Sequence, residues 1–401
     1  MSVTSRSWLA LVVAVALAPA LLGAKALPDR PSADRQPTGA RTPRVSPVPE
    51  AQWTAKQKEL VSKLAPGGRA DNLFATLLTV PEIVEGAMPF TNYLLTSSTL
   101  SPRHRDLLIL RTAWLCGSQP LWATHAARAK TTGFSADELQ RVAQGPDTPG
   151  WEAFEKTLLQ AADQLYRNSK INDATYGALS AQYDLEHMMD AVEMVGHFLF
   201  LGQIANSLGV QPDQGLSDRL PKVPYRIVVP DAEPALTKAR VDPLPGPGIA
   251  VGRTFSRHAK LNQVRTLRAN FINRVSKLTP RHREMFILRI GWDCQSEYEW
   301  AQHVGTVGRA RDHGLNPVEV AKGPDAPGLD SFDRAIYRAV DDLYRDVSVS
   351  DTSWKALSAR FDTGLIMSGI YSAASYRATS MSLRTYGVQL EPSDERFPKV
   401  D

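Results

Sequence analysis

The chain has 401 residues, more than one ordinary core needs, which points to two domains. Hydrophobic residues make up 43% and charged residues 22%, a balance that excludes wholesale disorder. A net charge of +4, spread over the whole length, is no footprint for nucleic acid. Two cysteines, Cys116 and Cys294, exclude a disulfide scaffold and a four-cysteine zinc or iron–sulfur centre within one chain. The sequence also contains no glycine-rich phosphate loop ending in Lys-Ser/Thr and no G-x-S-x-G nucleophile elbow.

Residues 1–26 read as an export signal, with Arg6 in the basic region, an apolar run from Trp8 to Leu22, and Ala24-Lys25-Ala26 as a small-x-small cleavage pattern. The apolar run is short for a membrane-spanning helix, although an uncleaved anchor is the alternative. The expected location is therefore periplasmic or secreted, with no stable membrane span after cleavage. Residues 27–50 are rich in Pro, Ser and Arg with no apolar period, and predict an extended, mobile linker.

From there the chain is one unit written twice. LSPRHRDLLILRTAWLC at 100–116 recurs as LTPRHREMFILRIGWDC at 278–294, with ten of seventeen positions identical at an offset of 178. The same offset carries Trp122 to Trp300, His125 to His303, Gly145-Pro146-Asp147 to Gly323-Pro324-Asp325, and Gly209-Val210 to Gly387-Val388. The predicted organisation is a first domain at 51–210, a proline-rich connector at 211–250 and a second domain at 251–395. Within each copy the period is helical. Ser101-Pro102 and Thr279-Pro280 are helix starts, Ala153–Tyr166 carries an amphipathic face, Asp173 and Asp351 are candidate N-caps, and Leu185–Leu208 is a long apolar helix. Both domains are expected to be all-α.

The run L-[ST]-P-R-x-R-[DE]-x-x-I-L-R, an aromatic-rich stretch ending in His, and then G-P-D resembles the carboxymuconolactone decarboxylase family, which shares a helical fold with the alkyl hydroperoxidase D proteins. The resemblance covers roughly 51–210 and 255–390, and Ser296–His303 look most like the decarboxylase branch. It implies two tandem alkyl hydroperoxidase D-like domains, packed pseudo-symmetrically and open to assembly into a homo-oligomer. The peroxidase branch uses a Glu, a C-x-x-C pair and a His four residues after the second cysteine. Here those cysteine positions hold Ser296 and Glu299 before His303, and Ser118 and Leu121 before His125. Without vicinal thiols, peroxide reduction through a resolving disulfide has no chemistry to run on.

The remaining chemistry is acid–base. Glu299 and His303 stand at i and i+4 on one helix face, and Glu284, matching the family's relay Glu, lies on the preceding helix. Glu284, Glu299 and His303 are the candidate catalytic set, while Arg289 and Trp300 are candidate substrate-binding residues. Asp106 and His125 form a degenerate counterpart in the first copy, with His197 nearby as a core histidine. The expectation is a lyase or isomerase with no cofactor and no metal, acting on a small carboxylated or lactone-like substrate. The alternative is a non-catalytic binding or assembly protein that retains the fold. The sequence leaves open whether Cys116 and Cys294 pair, and buried free thiols are the default.

Overall fold

The computed structural model describes residues 31–39 and 42–400, so the expected export signal at 1–26 lies outside the described residues. The described residues form helices joined by turns and extended segments, with no strand among them. The first half contains α1 (Ala55–Leu64), α2 (Asn72–Leu77), α3 (Pro81–Thr96), α4 (Pro102–Leu115), α5 (Gln119–Thr131), α6 (Ala136–Gln144), α7 (Ala153–Asn168), α8 (Asp173–Ser180) and α9 (Leu185–Leu208). The second contains α10 (Ala250–Phe255), α11 (Ala259–Asn270), α12 (Pro280–Asp293), α13 (Glu297–Val304), α14 (Pro317–Lys322), α15 (Ser331–Asp346), α16 (Asp351–Leu357) and α17 (Thr363–Tyr386). Helices α10 to α17 follow α2 to α9 in order. Each starts 178 residues after its counterpart except α14, which starts three residues later than that spacing.

Local chemistry sets these boundaries. The side chains of Ser101 and Thr279 accept the His104 and His282 amides at the starts of α4 and α12, and a proline follows each cap. Asp173 and Asp351 are not the caps that the sequence predicts. Asn172 and Ser350 cap α8 and α16, leaving the two acids in the first helical turn, where a carboxylate suits the helix dipole. At the end of α4, Gly117 turns with φ of 59°, and a side chain there would overlap the Pro37 carbonyl.

The halves do not have separate cores. One continuous apolar core runs through both, because α9 and α17 are buried on nearly every face and pack against each other. Helices α3 and α11 form a second such pair, so in both cases an element meets its own counterpart 178 residues on.

The described parts of the expected linker at 27–50, residues 31–39 and 42–50, are not free of the rest: Gln36 Nε2 donates to the Trp114 carbonyl at 2.6 Å, and Arg44 Nη1 donates to the carbonyls of Ser207 (2.8 Å) and Val349 (2.7 Å). Val45 is buried. These side chains strap the segment across both halves, which composition alone does not reveal. The connector behaves similarly: Tyr225 stacks on Trp114 at 4.9 Å and donates to the Leu115 carbonyl.

Candidate functional site

Helices α12 and α13 bring Glu284 and His303 together behind a cavity of about 520 Å³. His303 Nδ1 donates to Glu284 Oε2 at 2.6 Å, and Nε2 faces Glu299 Oε1 at 3.0 Å. Glu284 is fully buried and receives Arg283 Nε on its other oxygen at 3.0 Å. The Tyr376 ring, from α17, packs perpendicular to the imidazole with centroids 4.8 Å apart. The three residues singled out from the sequence therefore form one line, carboxylate–imidazole–carboxylate. Glu299 and His303 line the cavity, and Glu284 stands behind them.

Helix α13 stops immediately after His303, at Val304, whereas α5 continues six residues beyond His125. The cause is local. Gly308 folds back against the Glu284 carboxylate and the His303 backbone, and a Cβ at that position would overlap Glu284 Oε2. The glycine lets the chain close over the pair.

Burial acts to lower the His303 pKa, but Glu284 and then Glu299 more than reverse this and hold it at about 10, against an ordinary 6.5. At neutral pH His303 is thus an imidazolium with both N–H groups directed at carboxylates. No group of three or more His, Cys, Asp or Glu among the described residues is arranged to hold a metal ion.

The sequence reading missed the cavity's cationic wall. Arg265 and Arg268, on α11, line the cavity with Asn273 from the π-helical turn that follows. Arg265 Nε and Arg268 Nη1 are buried and have no hydrogen-bond partner among the described residues. Glu193, on α9 of the first half, sits behind them at 3.6 and 3.5 Å. Ser382 donates to Glu193 at 2.7 Å. Arg268 also stacks over Phe90, again from the first half, at 4.6 Å. With Arg253 and His303 also in the lining against Glu299 alone, the lining carries net positive charge. One signal for this wall exists in the sequence: the counterparts of Arg265 and Arg268 are Ala87 and Phe90, so charge appears in one copy at positions apolar in the other.

Two expected substrate contacts lie elsewhere. Arg289 Nε donates to Asp341 at 2.6 Å, and its Nη1 donates to the carbonyls of Val320 (3.2 Å) and Ala321 (2.8 Å). Arg111 makes the same clamp in the first half, to Asp163 and to the carbonyls of Val142 and Ala143. The arginine ties three helices together and is absent from the His303 cavity. Trp300 is fully buried between Trp292 and Phe397, with centroids 5.6 and 5.4 Å away, and does not line the cavity either.

In the first half the pair is broken. Asp106, one methylene shorter than Glu284, accepts from Arg105 Nε at 3.0 Å and Thr132 Oγ1 at 2.8 Å, and makes no hydrogen bond to His125. His125 Nδ1 has no partner among the described residues, and burial, reinforced by Arg128, pushes the His125 pKa down to about 3. His197 is wholly buried, bonded to Thr91 at 2.8 Å and packed on Phe90 and Phe200. Cys116 and Cys294 are buried free thiols raised by burial to about 12 and about 11, and neither lines the His125 or the His303 cavity.

Residues 81–164 match the family model of the carboxymuconolactone decarboxylase family, and the match lies across helices α3 to α7 of the first half. Among curated proteins, none matches the chain. Similar solved structures include an uncharacterized peroxidase-related protein from Silicibacter sp. TM1040, with 16% identity, covering 47% of this chain and 99% of its own, at a TM-score of 0.38. An alkylhydroperoxidase AhpD core protein from Ralstonia eutropha JMP134 has 19% identity, covering 43% and 94%, at 0.34. A variant of the debrominase Bmp8, solved in complex with 2,3,4-tribromopyrrole, has 11% identity, covering 42% and 91%, at 0.36.

Proposed function

We propose that this protein is an exported, cofactor-independent lyase or isomerase of carboxymuconolactone decarboxylase type that acts on a small carboxylated or lactone-like substrate in the His303 cavity. One observation carries this reading. A doubly hydrogen-bonded imidazolium and two arginines, ion-paired to Glu193 behind them but not hydrogen-bonded to it, line a single cavity, which suits an anion whose charge shifts during reaction.

The chemistry follows from those groups. Arg265 and Arg268 hold a substrate carboxylate in bidentate or paired fashion. The carbon–carbon bond to the departing carboxylate breaks and leaves its electron pair on the substrate as an enolate, and carbon dioxide leaves. The His303 imidazolium stabilises that enolate, and a proton passes to carbon from His303, directly or through Glu299. Water then restores the proton, and Glu284 holds the ring in place throughout. No oxidant or thiol enters. Isomerisation would use the same groups without loss of carbon dioxide.

The test is solvent-deuterium incorporation and carbon dioxide release from a panel of carboxylated lactones, carboxymuconolactone included, with cis,cis-muconate as a binding probe by thermal shift. Replacing a general acid–base group costs about 10²–10⁴-fold in rate. His303→Gln is expected to fall in that range and Arg268→Leu to abolish the muconate shift, while Cys294→Ser and His125→Ala remain near wild type. Thiol-dependent peroxide reduction abolished by Cys294→Ser, with His303→Gln silent, would overturn the assignment. Export is checked by intact mass: a mature chain beginning after Ala26 supports it, and a retained Met1 refutes cleavage. The pairing of counterpart helices also supports descent by tandem duplication around an approximate twofold.

A further inference from the structure

A second cavity, of about 390 Å³, lies in the first half, and His125 lines it. Of its nineteen lining residues, fourteen lie 178 positions before residues that line the His303 cavity, so the two spaces are counterparts. Both have charged residues in their lining, here Arg69, Asp71, Arg128 and Asp213, but their inner walls differ. Where the second half presents Glu299, Asn273, Tyr376 and Thr379, the first presents Leu121, Leu95, Phe198 and Leu201. The two cavity arginines of α11 also have no counterpart here, since Ala87 and Phe90 occupy their positions.

The space has nonetheless not been filled. Leu121, Phe74 and Phe198 are buried in its wall, while Arg69, Gln211 and Gln214 stand exposed around its lining. Apolar wall facing water costs about 25 cal/mol per Å² of area, which an apolar occupant recovers. A polar group nine-tenths buried in that wall lacks a partner: His125 is 7% exposed, neither of its ring nitrogens is hydrogen-bonded among the described residues, and its ring packs perpendicular to Phe198 at 4.9 Å. Predominantly apolar cavities of about 300–1,000 Å³ with one or two convergent polar groups are the usual form of small-molecule sites.

We propose that the first-half cavity is a binding site for a small, largely apolar, uncharged molecule with a single hydrogen-bonding group, which it holds without chemical conversion. The apolar lining takes the body of the ligand, and His125, neutral and without the Glu284-like carboxylate that would make it an acid, takes the polar group. The site is separate from the His303 cavity and does not depend on any activity there.

The probe for this is N-phenyl-1-naphthylamine, two aromatic ring systems joined by one N–H, whose fluorescence rises in apolar surroundings. Titrated into the full chain, it is expected to saturate at one molecule per chain. Leu201→Phe and Leu121→Trp fill the space from two sides, and each is expected to weaken binding about tenfold or more, a change of about 1.4 kcal/mol. His125→Phe keeps the lining apolar but removes the polar partner, and is expected to cost about two- to tenfold, the worth of one hydrogen bond. Thr379→Phe fills the other cavity and should leave the affinity within about twofold. Circular dichroism and thermal unfolding establish that each variant is folded. The proposal fails if binding does not saturate, if both folded filling variants bind as wild type, if Thr379→Phe abolishes binding, or if the anionic analogue 8-anilinonaphthalene-1-sulfonate binds tighter than the neutral probe in the same site.

Discussion

At the residue scale, the determining feature is how far a carboxylate reaches. Glu284 spans to His303 and makes it a cation, whereas Asp106, one methylene shorter, is held by Arg105 and Thr132 and leaves His125 neutral. The raised His303 pKa has a consequence for stability. A group whose pKa rises on folding stabilises the fold fully below its unfolded value and loses that contribution as pH climbs through its folded value. Wild-type unfolding free energy from urea titrations should therefore decline between about pH 6.5 and pH 10, and His303→Gln should flatten the decline. Turnover should likewise persist through neutrality and fall only near pH 10; a midpoint near 6.5 would show that the imidazole is not paired as described. Gly308 gives a second prediction. Gly308→Ala should push the Glu284 carboxylate from His303, lowering the His303 pKa as read by NMR titration, and should cost about 1–3 kcal/mol, as overpacking of a tight site does.

At the scale of elements, the second-half site is a composite. Helix α11 supplies the arginines, α12 and α13 the acid–base line, α17 the Tyr376 ring, and α9, from the other half, the buried Glu193. Breaking a buried ion pair by removing one partner costs about 3–5 kcal/mol, because the remaining charge is left uncompensated. Glu193→Gln is expected to lose an amount of that order in urea unfolding, with part of it recovered on adding muconate as a replacement anion. If muconate stabilises the variant no more than wild type, Glu193 does not serve as the counter-ion of these arginines. The same helices explain why Arg289 was a misleading candidate. An arginine in a motif reads as an anion binder, but between α12, α14 and α15 this one is used up by Asp341 and two helix-end carbonyls.

At the scale of the whole molecule, two extended segments tie the halves together. Arg44 binds Ser207 of α9 and Val349 just before α16 at once, so Arg44→Ala removes bonds to both halves. Each lost hydrogen bond is worth about 0.5–1.5 kcal/mol, and bonds from a charged donor are at the upper end. The expected result is a loss of about 1–3 kcal/mol in a single cooperative unfolding transition, since one core spans both halves. Two separate transitions in calorimetry would show that the halves fold independently.

The sequence by itself determined the helical class, the repeat at an offset of 178, the starts of α4, α7, α9 and α12, and the Glu284–Glu299–His303 set. Each of these is written in local signals: caps and prolines, apolar periodicity, and i to i+4 spacing on one face. Only the tertiary structure decided what those residues face. Arg265, Arg268 and Glu193 meet because α9, α11 and α17 pack across the middle of the molecule, and no spacing within one helix encodes that meeting. Likewise, the composition of residues 31–50 shows that they cannot build a core, but not that Gln36, Arg44 and Val45 would find partners on one already built. The fate of the first-half site was half legible, since Leu121 in place of an acid was visible from the start. That its cavity stays open, lined with apolar side chains around a neutral His125, depends on how the surrounding helices stand apart, which pattern alone does not fix.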